Sequence, residues 1–198
     1  MSDELKKLKI AGHQRDYKIK HLEALVLKDP LTGLYNRRGF LELVEKFFGD
    51  LRFKKNNPRI RREHFFIESL TILFFDIDNF KKINDAYGHG VGDKVLQFVA
   101  SIIETKVRAS DIVGRWGGEE LVVALIGADE KDGMAKAEEI RKTIRSRVKI
   151  PKLDMKVTVS IGVAEYKGKG ELKGLIQNAD EAMYKAKKGG KDRVVVFS

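Results

Sequence analysis

Apolar residues recur along the chain in two rhythms, one of helix faces and one of short strand-length runs. Over residues 37–48, Phe40, Leu41, Val44, Phe47 and Phe48 fall on one helical face, with Asn36 placed to cap its start and Pro30 ending any helix before it. Residues 70–76 form a continuous apolar run closing on Asp76, the pattern of a strand buried on both faces. Helices are predicted from about Asn79 and Val91, joined by the turn Tyr87-Gly88-His89-Gly90. The second of them presents Val91, Val95, Leu96, Val99, Ile102 and Ile103 on one face. Strands at 111–116 and 120–126 flank Gly117-Gly118, and a helix over 130–147 turns Met134, Ala137, Ile140 and Ile144 inward. A strand over 155–164 alternates around Val157, Val159 and Ile161. The last helix, 171–187, buries Leu172, Leu175, Ile176, Ala179 and Met183 with Tyr184 beside them, stops at Gly189-Gly190, and leads into a strand at 193–197. The order βααββαβ with a terminal αβ unit predicts an α/β fold with a mixed sheet, helices on at least one face, and a projecting glycine hairpin.

Two segments lie outside this pattern. Residues 49–68 are polar and basic and read as a long loop. Residues 1–27 are charged and proline-free. Leu5, Leu8, Ile19, Leu22 and Val26 occupy a and d positions of one heptad frame that Gly12 and Arg15 interrupt. This is a weak coiled coil, read as a helical stub that pairs two chains or as an amphipathic helix folded back on the domain. The chain is thus divided into a stub, 1–27, and one folded domain, 28–198.

Composition narrows the function classes. At 198 residues, 42% hydrophobic and 34% charged, the chain is long enough for a real core, and its apolar runs are of strand length, so no membrane span is expected. The absence of cysteine excludes disulfides and thiolate metal sites and agrees with a cytoplasmic location. A net charge of +10 suits an anionic partner. The basic residues are interspersed with acids and accompany no nucleic-acid motif, so nucleotide phosphates are favoured over nucleic acid.

The candidate chemistry centres on Arg115-Trp116-Gly117-Gly118-Glu119-Glu120-Leu121. Adjacent glycines supply a tight turn and leave room for a ligand against the backbone, and two carboxylates follow at once. Taken alone, this is equally a surface hairpin with two solvated glutamates. Asp76 at the end of the first long strand adds a carboxylate at a rigid edge, suited to a hard cation held by oxygen ligands. Asp78 and Asp85 read as solvated or capping, and Trp116 as packing.

Together, Asp76-Ile77-Asp78-Asn79-Phe80-Lys81, Asn84, Gly88-His89, Gly92-Asp93 and Arg-Trp-Gly-Gly-Glu-Glu make the sequence resemble the GGDEF family of diguanylate cyclases from about Asp29 to the C-terminus. The resemblance implies a palm-like α+β fold, similar to nucleotide cyclase and polymerase palm domains, and condensation of two GTP into cyclic di-GMP with release of two pyrophosphates. It implies Mg²⁺, with Mn²⁺ as an alternative, held by Asp76, the Ile77 carbonyl and Glu119. Glu119 and Glu120 become the catalytic acids, with the choice of general base open. Asn84 and Asp93 resemble the guanine-reading pair, and His89 lies near the nucleotide. Gly117 and Gly118, the backbone at Phe80 and Lys81, and the side chains of Lys187 and Lys191 would complete the GTP site. Two domains would meet face to face as a homodimer joined through the N-terminal helix.

Arg108-Ala109-Ser110-Asp111, upstream of the glycine pair, matches the spacing of the family's RxxD inhibitory site, where cyclic di-GMP acts as product inhibitor; an ordinary helix-end Arg beside a strand-start Asp gives the same spacing. Two positions depart from the family. Leu121 stands where Phe is usual, and Lys191 where Arg is usual, which reduces a forked phosphate contact to a point charge. The alternative to a cyclase is an inactive GGDEF-type receptor that binds cyclic di-GMP through Arg108 and Asp111.

Overall fold

A computed structural model describes residues 26–56, 67–148 and 155–198. The helical stub therefore lies almost wholly outside the described residues. The elements follow in the order β1 (Tyr35–Asn36), α1 (Arg37–Asn56), β2 (Leu70–Ile77), α2 (Phe80–Tyr87), α3 (His89–Lys106), β3 (Ile112–Gly117), β4 (Glu120–Ile126), α4 (Glu130–Arg147), β5 (Val159–Glu165), α5 (Leu172–Lys188) and β6 (Val194–Val196). From β2 onward this is the predicted βααββαβ order with its terminal αβ unit.

The six strands form one mixed sheet in the order β1-β3-β4-β2-β5-β6. The four inner strands pair antiparallel, and the short edge strands β1 and β6 add in parallel. Side-chain alternation along β2 divides the core in two. Leu73, Phe75 and Ile77 pack with Val95, Val99 and Ile103 of α3 and Ala137, Ile140 and Ile144 of α4. Ile72 and Phe74 pack on the other face with Phe40, Val44 and Phe48 of α1 and Leu175, Ala179 and Met183 of α5. Asp76 has the parity of Ile72 and Phe74, so β2 delivers its carboxylate to the face covered by α5.

Four expectations are corrected. The segment 49–68 is not all loop: α1 continues to Asn56, because Leu51 extends the buried row Phe40, Val44 and Phe48 by another turn. Met134 is 48% exposed; α4 instead turns Gly133 inward, where any Cβ would meet Thr71 Cγ2 at 2.5 Å. Tyr184 is 54% exposed, and Ala182 and Ala186 complete the inner face of α5. The strand expected over 155–164 begins only at Val159, although Val157 is still fully buried.

Helix α5 lies directly against β5 at Gly162, where a Cβ would lie 1.9 Å from the Ala179 carbonyl oxygen and 2.3 Å from the Met183 nitrogen. Both are backbone atoms of α5 and cannot rotate aside. Gly162→Ala is expected to destabilise the fold by about 3 kcal/mol through overpacking, read as a lower denaturant midpoint. An unchanged midpoint would contradict this packing.

Candidate active site

The antiparallel register of β2 and β4 sets Asp76 opposite Glu120. β3 ends at Gly117 and β4 starts at Glu120, so the two-residue turn is Gly118-Glu119, shifted by one from the Gly-Gly turn that the sequence suggests. Gly118 alone of the two glycines has positive φ, at 49°, and the ladder slips between Arg115 and Gly117. A Cβ on either glycine would meet nothing within 4 Å, so the protein's own packing leaves the space over the turn open. Leu121 is fully buried opposite Phe75, and the hairpin forms with Leu at that position. Trp116 packs edge-on against Phe40 and Phe74, as expected of a packing residue.

Arg115 fixes the turn from behind. Its Nε and Nη2 donate to the Gly118 carbonyl at 3.0 and 2.8 Å, and its Nη1 reaches Asp29 at 3.0 Å. Asp29 also accepts from the Thr32 main-chain N–H and hydroxyl. Burial alone would raise the Asp29 carboxyl, but Thr32 and Arg115 together hold it below its usual value.

Lys187 of α5 donates to Asp76 Oδ2 at 2.8 Å. Burial pushes Asp76 up, and the Glu119 and Asp78 charges add to it; Lys187 opposes without cancelling. Glu120 is raised by burial and then by Asp76, Asp180 and Glu119. Asp180, two turns before Lys187 on α5, is raised by burial and by Glu181. For Lys187 burial acts downward, yet Asp76, Glu119 and Asp78 outweigh it and raise the ammonium. Burial is the largest cause for the three carboxyls, and for Asp76 and Glu120 the neighbouring acids add to it beyond what Lys187 offsets.

Among the described residues, no three acidic or histidine side chains are gathered as a ready metal cage. The expected ligand set asks for only two, Asp76 and Glu119, with the Ile77 carbonyl as third donor. All are hard oxygens, and although Lys187 holds one Asp76 oxygen, Glu119 and Asp78 still press on Asp76, so the donor set suits a divalent cation.

The remaining predicted residues fall into three places. Phe80 and Lys81 open α2 directly after β2, and Lys191 donates to Asn79 at 2.6 Å, bringing the α5–β6 corner against that opening. Asn84, on α2, packs its Oδ1 where a Cβ of Gly92 would lie, at 1.9 Å, one residue before exposed Asp93; this oxygen is buried without a hydrogen-bond partner. His89 starts α3, exposed at the same corner.

Arg108 and Asp111 are not part of this site. They bracket the turn before β3, at the end opposite the glycine hairpin, about 20 Å away by strand length. Asp111 accepts the Arg108 and Ile126 main-chain N–H groups at 2.8 and 3.0 Å, so it shapes the turn, while the Arg108 side chain is exposed. Both line a cleft of about 260 Å³ shared with Asp132, Lys136 and Glu139 of α4.

The sequence reading missed Asp180 and Lys136, and named Arg115 without giving it a role. Asp180 was signalled by its spacing of seven from Lys187, two turns along one helix face. Lys136 had no signal, since its place beside Arg108 depends on how α4 crosses the sheet. Asp78 is corrected outright: it is 3% exposed and accepts hydroxyl hydrogen bonds from Thr158 and Ser160, so it is neither solvated nor a cap.

Residues 26–193 match the family model described as Diguanylate cyclase, GGDEF domain. The chain belongs to this family. Diguanylate cyclase DgcM of Escherichia coli K12 is 37% identical over 174 residues, covering 88% of this chain and 39% of DgcM. Diguanylate cyclase DosC of the same strain is 39% identical over 175 residues, covering 85% of this chain and 35% of DosC. The chain thus spans well under half the length of these relatives.

The coiled coil and GGDEF domain of DgcB from Caulobacter crescentus, solved in complex with c-di-GMP, superposes with a TM-score of 0.84 at 25% identity, covering 98% of this chain and 97% of that one. The active GGEEF domain of a diguanylate cyclase from Vibrio cholerae matches with a TM-score of 0.69 at 28% identity, covering 82% and 97%. The mixed palm-like sheet is therefore that of GGDEF domains.

The raised Glu120 gives a pH prediction. The folded protein holds this proton more tightly than the unfolded chain, so ionisation costs stability as pH rises from the ordinary glutamate range through the raised value. Glu120→Gln is therefore expected to raise the thermal midpoint at neutral pH without divalent cations, the gain shrinking as pH falls toward about 4. A variant no more stable than wild type at neutral pH would contradict the assignment.

Proposed function

We propose that the chain is a diguanylate cyclase that condenses two GTP into cyclic di-GMP and two pyrophosphates. The observation that carries this reading is the acidic corner itself. Asp76 faces Glu120 across the central strands with Glu119 beside them, a lysine bridges to Asp76, and a glycine turn leaves the space above it open.

The residues divide the work. Asp76, Glu119 and the Ile77 carbonyl would hold Mg²⁺ or Mn²⁺, which when bound neutralises charge on the triphosphate. Lys187, Lys191 and the main chain at Phe80 and Lys81 hold the β and γ phosphates. Asn84 and Asp93 read guanine, with His89 at the same corner; the unpartnered Asn84 oxygen is suited to accept a base N–H. Gly117 and Gly118 let GTP lie against the hairpin. Glu120 is the better candidate to take the proton of the attacking 3′ hydroxyl, since a raised carboxyl is a stronger base.

One domain holds one GTP, so two copies must meet face to face as a homodimer, with the N-terminal helix, 1–27, as their tether. GTP as substrate places the reaction in the cytoplasm. Among the described residues no helix is long and apolar enough to cross a membrane. The cleft with Arg108, Asp111 and Lys136 is proposed as the inhibitory site for cyclic di-GMP. Its distance from the hairpin also supports the second reading, a receptor that binds cyclic di-GMP without making it.

Purified protein given Mg²⁺ and GTP is expected to form cyclic di-GMP and pyrophosphate, with the rate falling as product accumulates. Glu119→Ala should lower turnover by roughly a hundredfold or more. Arg108→Ala should keep turnover and weaken product inhibition about tenfold or more. A folded dimer that binds cyclic di-GMP but neither binds nor turns over GTP would replace the cyclase with the receptor.

A further inference from the structure

Three non-glycine residues adopt positive φ among the described residues: Asn79 at 59°, Lys191 at 64° and Asp192 at 47°. All three meet at one place. Lys191 Nζ donates to Asn79 Oδ1 at 2.6 Å, and the Asp192 main-chain N–H donates to Asp78 Oδ2 at 3.0 Å. Asp78 is the buried base of this knot. Its carboxylate also takes the Thr158 and Ser160 hydroxyls at 2.7 Å each, and its own N–H donates to the Thr158 carbonyl at 2.9 Å.

The Asp192 carboxylate is gripped from the side. It accepts from Arg141 and, at 2.5 Å, from Arg145, both on α4; Arg141 also donates to the Asp192 carbonyl at 3.1 Å and to Glu138 at 2.8 Å. Ending α5 does not require the Asp192 contacts: Gly189 and Gly190 donate to the Lys185 and Lys187 carbonyls, and the Lys191 main-chain N–H donates to the Ala186 carbonyl. The two left-handed residues beyond them instead turn the chain back so that the Lys191 ammonium crosses to the opening of α2. Left-handed conformations in non-glycine residues are held only where surrounding contacts over-determine them, and they gather where geometry serves a ligand.

We infer that Asp78 and Asp192 are positioning residues for triphosphate binding. Asp78 ties the β2–α2 corner, with the main chain of Phe80 and Lys81, to the α5–β6 corner that carries Lys191. The α4 arginines act through Asp192 to keep Lys191 aimed at the phosphates. Neither aspartate touches substrate. The inference rests on the cyclase reading above, in which those two corners cradle the β and γ phosphates. It also bears on the Lys191 departure: a lysine held in place by its neighbours needs less of the self-orienting fork that arginine would bring.

The test is calorimetry with two probes in the presence of Mg²⁺: a non-hydrolysable GTP analogue, which uses the whole cradle, and GMP, which uses the base corner but lacks the β and γ phosphates. Asp192→Ala is expected to weaken the analogue about tenfold and to leave GMP unchanged. Asp192→Asn keeps the main-chain donor and an oxygen for the arginines, so it should recover most of the loss. Adding Asp192→Ala to Lys191→Ala should cost little beyond Lys191→Ala alone, because the first acts through the second. Arg145→Ala, at a half-exposed side chain, should show the same selective loss in smaller degree and guards against misfolding of the Asp192 variants. Equal losses for both probes, additive losses in the double variant, or no loss would overturn the inference while wild-type binding of the analogue leaves the cyclase reading standing. Wild-type protein that binds no analogue would overturn both.

Discussion

The pair between Asp76 and Lys187, at 2.8 Å, joins the two parts of the chain on which the rest of the site depends. Asp76 is carried to the end of the central strand by a fully buried run, and Lys187 arrives from the last helix, 111 residues later. Charges taken from water must find partners. Here one lysine answers Asp76, Glu119, Glu120 and Asp180, and burial and mutual repulsion leave Asp76, Glu120 and Asp180 with raised carboxyls. This is stored electrostatic disfavour, and it is relieved by cations. That excess of negative charge is what the metal ion and lysine-bound polyphosphate of the proposed function would meet.

The elements were readable from periodicity because the core is divided so cleanly by the sheet. The bounds of the helix over 130–147 and of the hairpin strands fall where the apolar spacing puts them. Where the reading slipped, packing had overruled composition. Gly133 faces inward in place of Met134 because α4 lies too close to Thr71 for any side chain. α1 runs on through a polar stretch because Leu51 has core to reach.

For the site, motif spacing placed the carboxylates and the hairpin, but it could not show register. That Asp76 stands opposite Glu120 is a fact of strand pairing. Asp78 illustrates the limit best. As a carboxylate two residues from a candidate ligand it reads as solvent-facing, yet two hydroxyls from β5 and its approach and a main-chain N–H from beyond α5 satisfy it in the interior. Those donors come from residues 80 and more positions away, and no local pattern announces them. The same holds for Lys136 beside Arg108, and for the α4 arginines that hold Asp192. Helix α4 therefore lines the Arg108 cleft with one stretch and braces the α5–β6 corner with another.

The central claim is that the acidic corner is a metal-dependent triphosphate site, and its most direct test is the affinity of wild-type protein for a non-hydrolysable GTP analogue with and without Mg²⁺. Carboxylates that repel the γ phosphate when bare and bind it through a cation when loaded predict binding at least about tenfold tighter with Mg²⁺. Affinity that is the same with and without the ion would contradict the account.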